Sequence, residues 1–487
     1  MQTQYLMKHR LSKNAGLAIL AFLICSCQKS VVNNPVPLPN GSSKQVLSPA
    51  ALANERTPAF PGAEGFGRFA TGARGATDPA VYTVTNLEDS GPGSFRDAVS
   101  QPGRFVVFAV TGIIRLKSTV AVAPNTTIAG QTAPGKGVVI YGRKVSFTGA
   151  SNTIARNLRI RLGSNAGSSR SDDASGIANG KHMIFDHVSF TWGQDEVFSI
   201  NWDNKHIEPD SITLQHCIVA QGLNKVNHSA GGLIQTHGRI SILKCLYASN
   251  KTRNPKVKGI NEFVNNIVYN WGNLGNPKGH TVSGEAYIMG GSEGVSNVNI
   301  INNYFIQGPL TPDEPTPFSR GTGTFYLYTA GNYFDRNKNG LLDGTEVSPD
   351  STGYPGLEPG NFMPVPYAYP YSTPVLSATD AFKYVAKNAG ALYPHRDDVD
   401  KLLIAELQSL GTAGLYVYTE SDLPLVNGGL GDFPYASPHK DSDGDGIPDS
   451  WEKKLGLNAA VRDALQPNSA DPRYLNIEVY INALVRK

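Results

Sequence analysis

Four cations surround one proline in the run Lys251-Thr252-Arg253-Asn254-Pro255-Lys256-Val257-Lys258. Upstream lie two acidic stretches, Ser171-Asp172-Asp173 and Trp192-Gly193-Gln194-Asp195-Glu196. Clustered carboxylates hold hard divalent cations, whereas arginine and lysine hold anions. A chain that owns both has what is needed to handle a polymer carrying carboxylates of its own. Net charge is only +3 with no basic tail, which does not suggest nucleic acid as a partner.

The elements that must position these residues are short and repeated. Gly at 51, Pro at 32 and charge at 17% of 487 residues favour an all-β chain of many short strands. Aligning the segments that end at Gln131, Asn157, His187, Cys217, Cys245, Asn266, Asn303 and Asn332 gives one column of small or amide residues. Each is followed by a short apolar strand such as Ile267-Val268-Tyr269 or Tyr304-Phe305-Ile306. One such rung cannot bury its own apolar face, but stacked rungs can, and amides in the column can bond from rung to rung. This predicts a right-handed parallel β-helix in which Cys217 and Cys245 are stacked inward thiols rather than a disulfide. His187, in the same column, reads as a structural histidine. The segment 94–99 reads as a helix capping the N-terminal end of the stack. Helical apolar spacing is present at 377–389 and 398–410, and a last helix is expected over 475–485.

Two twelve-residue stretches fit an EF-hand-like loop, the second also similar to thrombospondin type 3 calcium loops. One offers Asp335, Asn337, Asn339, Asp343 and Glu346 around Gly340; the other offers Asp441, Asp443, Asp445, Asp449 and Glu452 around Gly446. Alternating oxygen ligands closed by a glutamate suit Ca²⁺ in a structural role. At the N-terminus, basic residues precede an apolar run over 15–24 that is too short to span a bilayer. It ends at Cys25-Ser26-Cys27, similar to a bacterial lipobox with Cys27 lipidated. The expected organisation is a signal peptide over 1–27, a flexible linker over 28–57, a β-helix over 58–420 and a calcium-loop and helical appendage over 421–487. The protein is expected to be an exported monomer, on the periplasmic or outer face of an outer membrane or free, touching membrane only through a lipid anchor.

The stretch from Phe60-Pro61-Gly62-Ala63-Glu64-Gly65-Phe66-Gly67 to about residue 310 resembles the bacterial pectate lyases of polysaccharide lyase family 1. The resemblance is carried by Thr127-Ile128-Ala129-Gly130-Gln131, Phe185-Asp186-His187, Arg253-x-Pro255-x-x-Lys258 and Asn265-Asn266. It implies cleavage of α-1,4-polygalacturonate by β-elimination with Ca²⁺ in the cleft. It also implies Arg253 as the proton-abstracting base, aided by neighbouring cations that lower its pKa. For the catalytic calcium the residues expected are Asp172, Asp173, Asp195 and Glu196. Ser199 stands where the family pattern has a second carboxylate, and Lys258 where it has arginine. Lys225, Lys256, Lys258 and His228 are expected on the substrate. Trp192 and Trp202 could stack on sugars, though packing at rung edges is the commoner role. Two other readings fit the same fold: a hydrolase using paired carboxylates, and a non-catalytic binder of acidic glycans.

Overall fold

The computed structural model describes residues 57–166, 172–371 and 374–485. The lipobox with Cys27, the expected signal peptide and most of the linker lie outside the described residues. Among those described, no helix is long and apolar enough to cross a membrane.

The repeat becomes three parallel sheets that wind as a right-handed β-helix. The first sheet stacks Ala80–Val84, Arg104–Phe108, Thr127–Ala129, Ile154–Arg156, Lys181–Asp186 and Asp210–Gln215, and continues to Phe325–Ala330. The second runs from Val120–Ala121 through Val145–Ser146, Ser175–Ile177 and Phe198–Asn201 to Phe318–Ser319. The third runs from Gly112–Arg115 through Ile218–Ala220 and Leu246–Ala248 to Tyr333–Asp335. At two successive rungs the corner between the second and first sheets is reduced to a bulge, where Gln235–Arg239 faces Lys258–Ile260. Leu233–Leu243 and Lys256–Val264 each run as one strand through both sheets.

Alternation divides each strand between two environments. In the third sheet Val219, Tyr247, Val268 and Phe305 point into the interior core. Their neighbours Ile218, Ala220, Leu246, Ile267 and Tyr304 point outward, beneath the helices Ala378–Asn388 and Asp398–Gln408. Arg159 and Arg161 of that sheet are fully buried against Asp397 and Asp400, at 2.8 Å for Arg161–Asp397 and 3.1 Å for Arg161–Asp400. The first sheet's outer face is covered by Ala59, Phe60 and Ala70, and by the C-terminal Ile447, Ala464, Ile477 and Tyr480 over Phe105 and Val107. The second sheet differs: Asn201 is exposed, and Gln235, Lys256 and Lys258 are half-buried on its outer side.

The helix at the N-terminal end is Phe95–Ala98, capped by Ser94 Oγ accepting from Asp97 N–H at 3.2 Å. Phe95, Ala98 and Val99 enter the interior core, and Ala123 N–H donates to the Val99 carbonyl, so this segment stands where a preceding rung of the second sheet would be. Residues 421–433, expected as part of an appendage, continue the layer over the third sheet through Leu423 and Leu430. Residues 56–487 form one compact unit.

The expected column is one residue out of register at Asn157 and His187, while Gln131 stays in the row of Leu158, Val188 and Cys217. Cys217 N–H meets Cys245 Sγ at 3.4 Å, and Cys245 N–H donates to Asn266 Oδ1 at 2.8 Å. Asn266 N–H donates to Asn303 Oδ1 at 2.8 Å, and Asn303 N–H to Asn332 Oδ1 at 3.0 Å. Both cysteines are free thiols. Strand register aligns Asp186 with Arg156 and with Gln215. The row of Cys217 therefore continues to Val188 and Leu158, not to His187 and Asn157. Those two occupy the preceding row with His216, Lys244, Asn265 and Asn302, all left-handed at φ 52–58°. An outward bend with φ > 0 favours asparagine for its own reason: its short polar side chain tolerates the left-handed region.

Candidate active site

The corner before the second sheet gathers the charged residues on successive rungs. Glu196 bridges to Ala230, and Ala230 to Thr252, in parallel register. One turn earlier, the Asp172 carbonyl accepts from Gln194 N–H at 2.9 Å, and Asp173 Oδ1 accepts from Glu196 N–H at 3.1 Å. Thus Asp173, Glu196, the His228 loop and Arg253 come from four consecutive turns. Their rungs are spaced at about 4.8 Å, the separation of paired strands.

Arg253 sits at a left-handed bend, φ 55°, a conformation costing about 1–3 kcal/mol for a non-glycine residue. The surroundings enforce it. Gly232 N–H donates to the Arg253 carbonyl at 2.8 Å. The Asn254 side chain is buried, accepting from Asn250 Nδ2 at 2.9 Å and donating to the Glu285 carbonyl at 3.2 Å. Gly231 permits the close approach, since a Cβ there would stand 2.6 Å from the Arg253 carbonyl oxygen. So held, the Arg253 guanidinium pairs with Glu196.

Glu196 is also 3.9 Å from His228 Nε2, which lies 2.9 Å from Asp195 Oδ1. The Asp195 carboxylate beside it, then that of Glu196, push His228 up to about 9. Burial alone would raise Glu196, but the neighbouring His228 and the Arg253 charge win, and its carboxyl lies below the ordinary value. Burial dominates at Asp173, raising it to about 6 against the pull of Lys144, whose Nζ is 2.9 Å away. Asp195, Glu196 and His228 bring ligand atoms within 4.8 Å of one another. That cluster offers two carboxylates, which suit a hard cation; Asp173 stands beside it, with Oδ1 on the Glu196 N–H and Oδ2 on Lys144. Asp172 enters through its carbonyl, and no ligand cluster among the described residues includes its side chain.

Lys256 and Lys258 share the outer face of the strand Lys256–Val264, with Val257 turned inward between them. Lys256 Nζ donates to the Gly291 carbonyl at 3.1 Å. Burial, then the Arg253 and Arg320 charges, lower its pKa. Ser199 lies on the same sheet face, where its Oγ accepts from Leu233 N–H at 3.4 Å. Lys225 Nζ donates to the Ser164 carbonyl at 2.7 Å, in the loop neighbouring the cluster. Trp192 is fully buried with Nε1 on Gln221 at 2.9 Å, so it cannot stack on a sugar. Trp202 Nε1 donates to the His206 carbonyl at 3.0 Å. Sequence reasoning missed Lys144, which faces Asp173, and Arg320, bidentate on Glu285 at 2.6 Å. Lys144 stands 29 residues before Asp173, the rung period, and that offset was its available signal.

A separate cavity of about 730 Å³ is lined by Asp186, His187, His216 and Tyr384. His187 and His216 both place Nδ1 on Asp186 Oδ1, at 2.8 and 3.0 Å, while Arg156 Nε donates to Oδ2 at 2.8 Å. Burial opposes charge on Asp186, yet His187 and Arg156 hold it well below the usual range. His187 is thus hydrogen-bonded to Asp186 and sits at the bend rather than in the inward ladder.

The two predicted calcium loops differ. In the first, Asn337 and Asn339 Nδ2 each donate to Asp343 at 2.9 Å. Glu346, expected to close the loop, instead accepts from Gly331 N–H at 3.2 Å. Asp335 ends the strand Tyr333–Asp335 and is buried. These carboxylates do not gather, because Thr345–Glu346 pairs back as an antiparallel strand. In the second loop Asp441, Asp443 and Asp445 do gather. Asp449 turns away to Lys440 Nζ at 2.8 Å and Ser442 N–H at 2.7 Å.

No family model matches the chain. A probable pectate lyase C of Aspergillus flavus is 48% identical over 427 residues, 88% of this chain and 94% of that protein. Its counterpart in Neosartorya fischeri is 47% identical over 446 residues, 91% of this chain and 98% of that protein. Among solved structures, a pectate lyase from a Bacillus species in complex with trigalacturonate superposes at TM-score 0.44 and 17% identity, covering 68% of this chain and 98% of that one. A mutant Bacillus subtilis pectate lyase superposes at TM-score 0.48 and 15% identity, covering 70% and 98%. The relatives in sequence are fungal rather than the bacterial members that the motifs suggested. With close to half its residues shared over about nine-tenths of its length, this chain belongs to the pectate lyase family.

Proposed function

We propose that this protein is a calcium-dependent pectate lyase, cleaving de-esterified α-1,4-polygalacturonate by β-elimination to 4,5-unsaturated oligogalacturonides. The observation that carries this reading is Arg253, held at a fixed bend three residues before Lys256 on the same rung and facing a carboxylate cluster. Asp173, Asp195 and Glu196 are the residues that would hold the cation, with Ser199 contributing no charge. Calcium bound there supplies neutralisation of the uronate carboxylate, which favours charge building up at the adjacent carbon.

The chain's own residues do the rest. Lys256 and Lys258 bind and orient the polymer's carboxylates from the second sheet, and Lys225 and His228 line the approach. Lysine in place of arginine at 258 keeps the charge but not the bidentate grip. Arg253 removes the C5 proton; the electron pair forms the C4–C5 double bond and expels O4 with the leaving chain, which takes up a proton. For this the guanidinium must first leave Glu196 and give up one proton to alkaline solvent, so that its neutral nitrogen can take the C5 proton; the Arg253–Glu196 pair is the resting arrangement. A hydrolase would give the Arg–Lys group no task.

Ultraviolet absorbance tests the reaction, because elimination leaves a conjugated double bond and hydrolysis does not. With polygalacturonate, calcium and alkaline buffer, absorbance should rise for the wild type and stay flat for Arg253→Ala. Reducing ends without absorbance would sink the lyase reading, and binding without turnover would identify a glycan-binding protein. Export by a lipoprotein signal ending at Cys27 belongs to the same proposal. Cys27→Ser should move the protein from the membrane fraction to the soluble one, and an unchanged distribution would remove the anchor.

A further inference from the structure

The carboxylates near the C-terminus converge without cationic partners. Glu452 is 0% exposed, and neither of its carboxylate oxygens has a hydrogen-bond partner. Asp443 Oδ2 and Asp463 Oδ1 are likewise buried and unpartnered. Asp441, Asp443 and Asp445 bring oxygens within 4.8 Å of one another, and so do Asp445, Glu452 and Asp463. Asp445 belongs to both groups. No ion pair among the described residues reaches any of the five. The nearest basic chains are committed elsewhere: Lys440 to Asp449 at 2.8 Å, and Arg462 to the Gly444 carbonyl at 2.7 Å. A buried carboxylate with no partner is strongly unfavourable unless a proton or a cation meets it.

Asp463 lies eleven residues beyond the end of the twelve-residue loop, and the structure delivers it by backbone bonds. Asp445 Oδ2 accepts from Asp463 N–H at 3.0 Å and from Ala464 N–H at 2.8 Å. Asp441 is oriented by Gly444 and Gly446 N–H groups at 2.8 and 2.9 Å. The loop and the 463–464 strand of chain therefore meet at Asp445, and each sends an apolar residue to one layer. Ile447 and Ala464 both pack with Phe105 and Val107 of the first sheet.

We propose that Asp441, Asp443, Asp445, Glu452 and Asp463 form one site for a divalent cation of the calcium class, and that the ion staples two separate segments of the tail over the first rungs of the β-helix. Asp463 replaces Asp449 as the ligand that completes the set. All-oxygen, all-carboxylate donors in a closed pocket favour calcium over magnesium, which retains several waters. The proposal is independent of the lyase reading and concerns residues far from Arg253 in sequence.

Terbium luminescence on the full chain is the test, since Trp451 adjoins Glu452 and can sensitise the ion. Emission should appear on terbium addition, fall on calcium competition and drop in Trp451→Phe, any remainder coming from terbium at the Asp195–Glu196 cluster or from Tyr480. Asp463→Asn should weaken calcium competition by about tenfold or more, and Asp449→Asn should stay within about threefold of wild type. Glu452→Gln should abolish the calcium-induced rise in Tm while raising the Tm of the calcium-free protein, because it removes a buried, unpaired charge. That opposite pair of shifts separates loss of a ligand from misfolding. Wild-type affinity in Asp463→Asn, emission that Trp451→Phe does not lower, or a wild-type Tm that calcium does not move would each overturn the proposal.

Discussion

Glu196 is asked to do two things, and its neighbours show the tension between them. It accepts from the Arg253 guanidinium and lies beside His228, yet it also belongs to the carboxylates that would hold calcium. Glu196→Gln should therefore raise the calcium concentration for half-maximal activity by about 10–100-fold, the usual effect of weakening a metal's ligand environment. A calcium titration of the rate checks this, and an unchanged midpoint would place the ion on other ligands. Arg253→Ala, by contrast, should lower kcat by roughly 10²–10⁴-fold, the range for a lost general base. Asp173, Asp195, Glu196 and Arg253 were legible as a set because their residue types announce a chemistry. Lys144 was not, because a lysine at a strand edge resembles any surface lysine until register puts it 2.9 Å from Asp173.

At the scale of the element, the amide ladder is the sharpest case of partial legibility. Asn265-Asn266 and Asn302-Asn303 each place the first asparagine at the left-handed bend and the second inward. Where a rung has only one polar residue, as at Asn157 or His187, sequence cannot tell bend from ladder, since both favour short polar side chains. The inward members carry the greater energy. Asn303 Oδ1 accepts from Asn266 N–H at 2.8 Å, while Nδ2 donates to the Phe263 carbonyl at 2.9 Å and Asn332 Oδ1 at 2.8 Å. Asn303→Leu leaves all three groups buried without it and should destabilise the protein by about 2–4 kcal/mol. Urea unfolding measures this; a loss under about 1 kcal/mol would mean the rungs are held by apolar stacking alone. In the first calcium-loop segment Glu346 accepts from Gly331 N–H, because Thr345–Glu346 folds back as a hairpin.

Across the whole molecule, the covering layers explain why the site is where it is. The first and third sheets are buried on both faces, which leaves the second sheet to present its outer side chains. Covering has a pH signature. Glu262, on the first sheet under the segment that carries Glu64 and Phe66, is 0% exposed, and its Oε2 has no partner. Burial raises it from 4.5 to about 8, more than the bond from Ser241 can offset. The folded state thus binds this proton more tightly than the unfolded chain. Its contribution to stability is full below about 4.5 and is lost as pH rises through about 8. Glu262→Gln should flatten that part of the profile and add roughly 2–4 kcal/mol at alkaline pH. Equal slopes in the two proteins would show that another group sets the dependence. None of this was readable in advance, because a glutamate in an alternating strand looks solvent-facing until the chain over it is known.

The two strands that pass unbroken from the second sheet into the first have a bearing on how such enzymes diversify. Elsewhere on the solenoid each rung turns a corner, and a corner is a place where chain can be inserted without disturbing the stack. At Leu233–Leu243 and Lys256–Val264 that opening is closed. Loops that reshape the cleft must therefore enter on its other flank, through segments such as 270–286, or along the second sheet's far rungs. A grafted specificity loop placed at 258–260, where a Cβ at Gly259 would stand 2.0 Å from the Thr236 carbonyl oxygen, should cost the sheet junction, whereas the same graft at 274–280, where Gly275 and Gly279 have open space around them, should leave the scaffold intact.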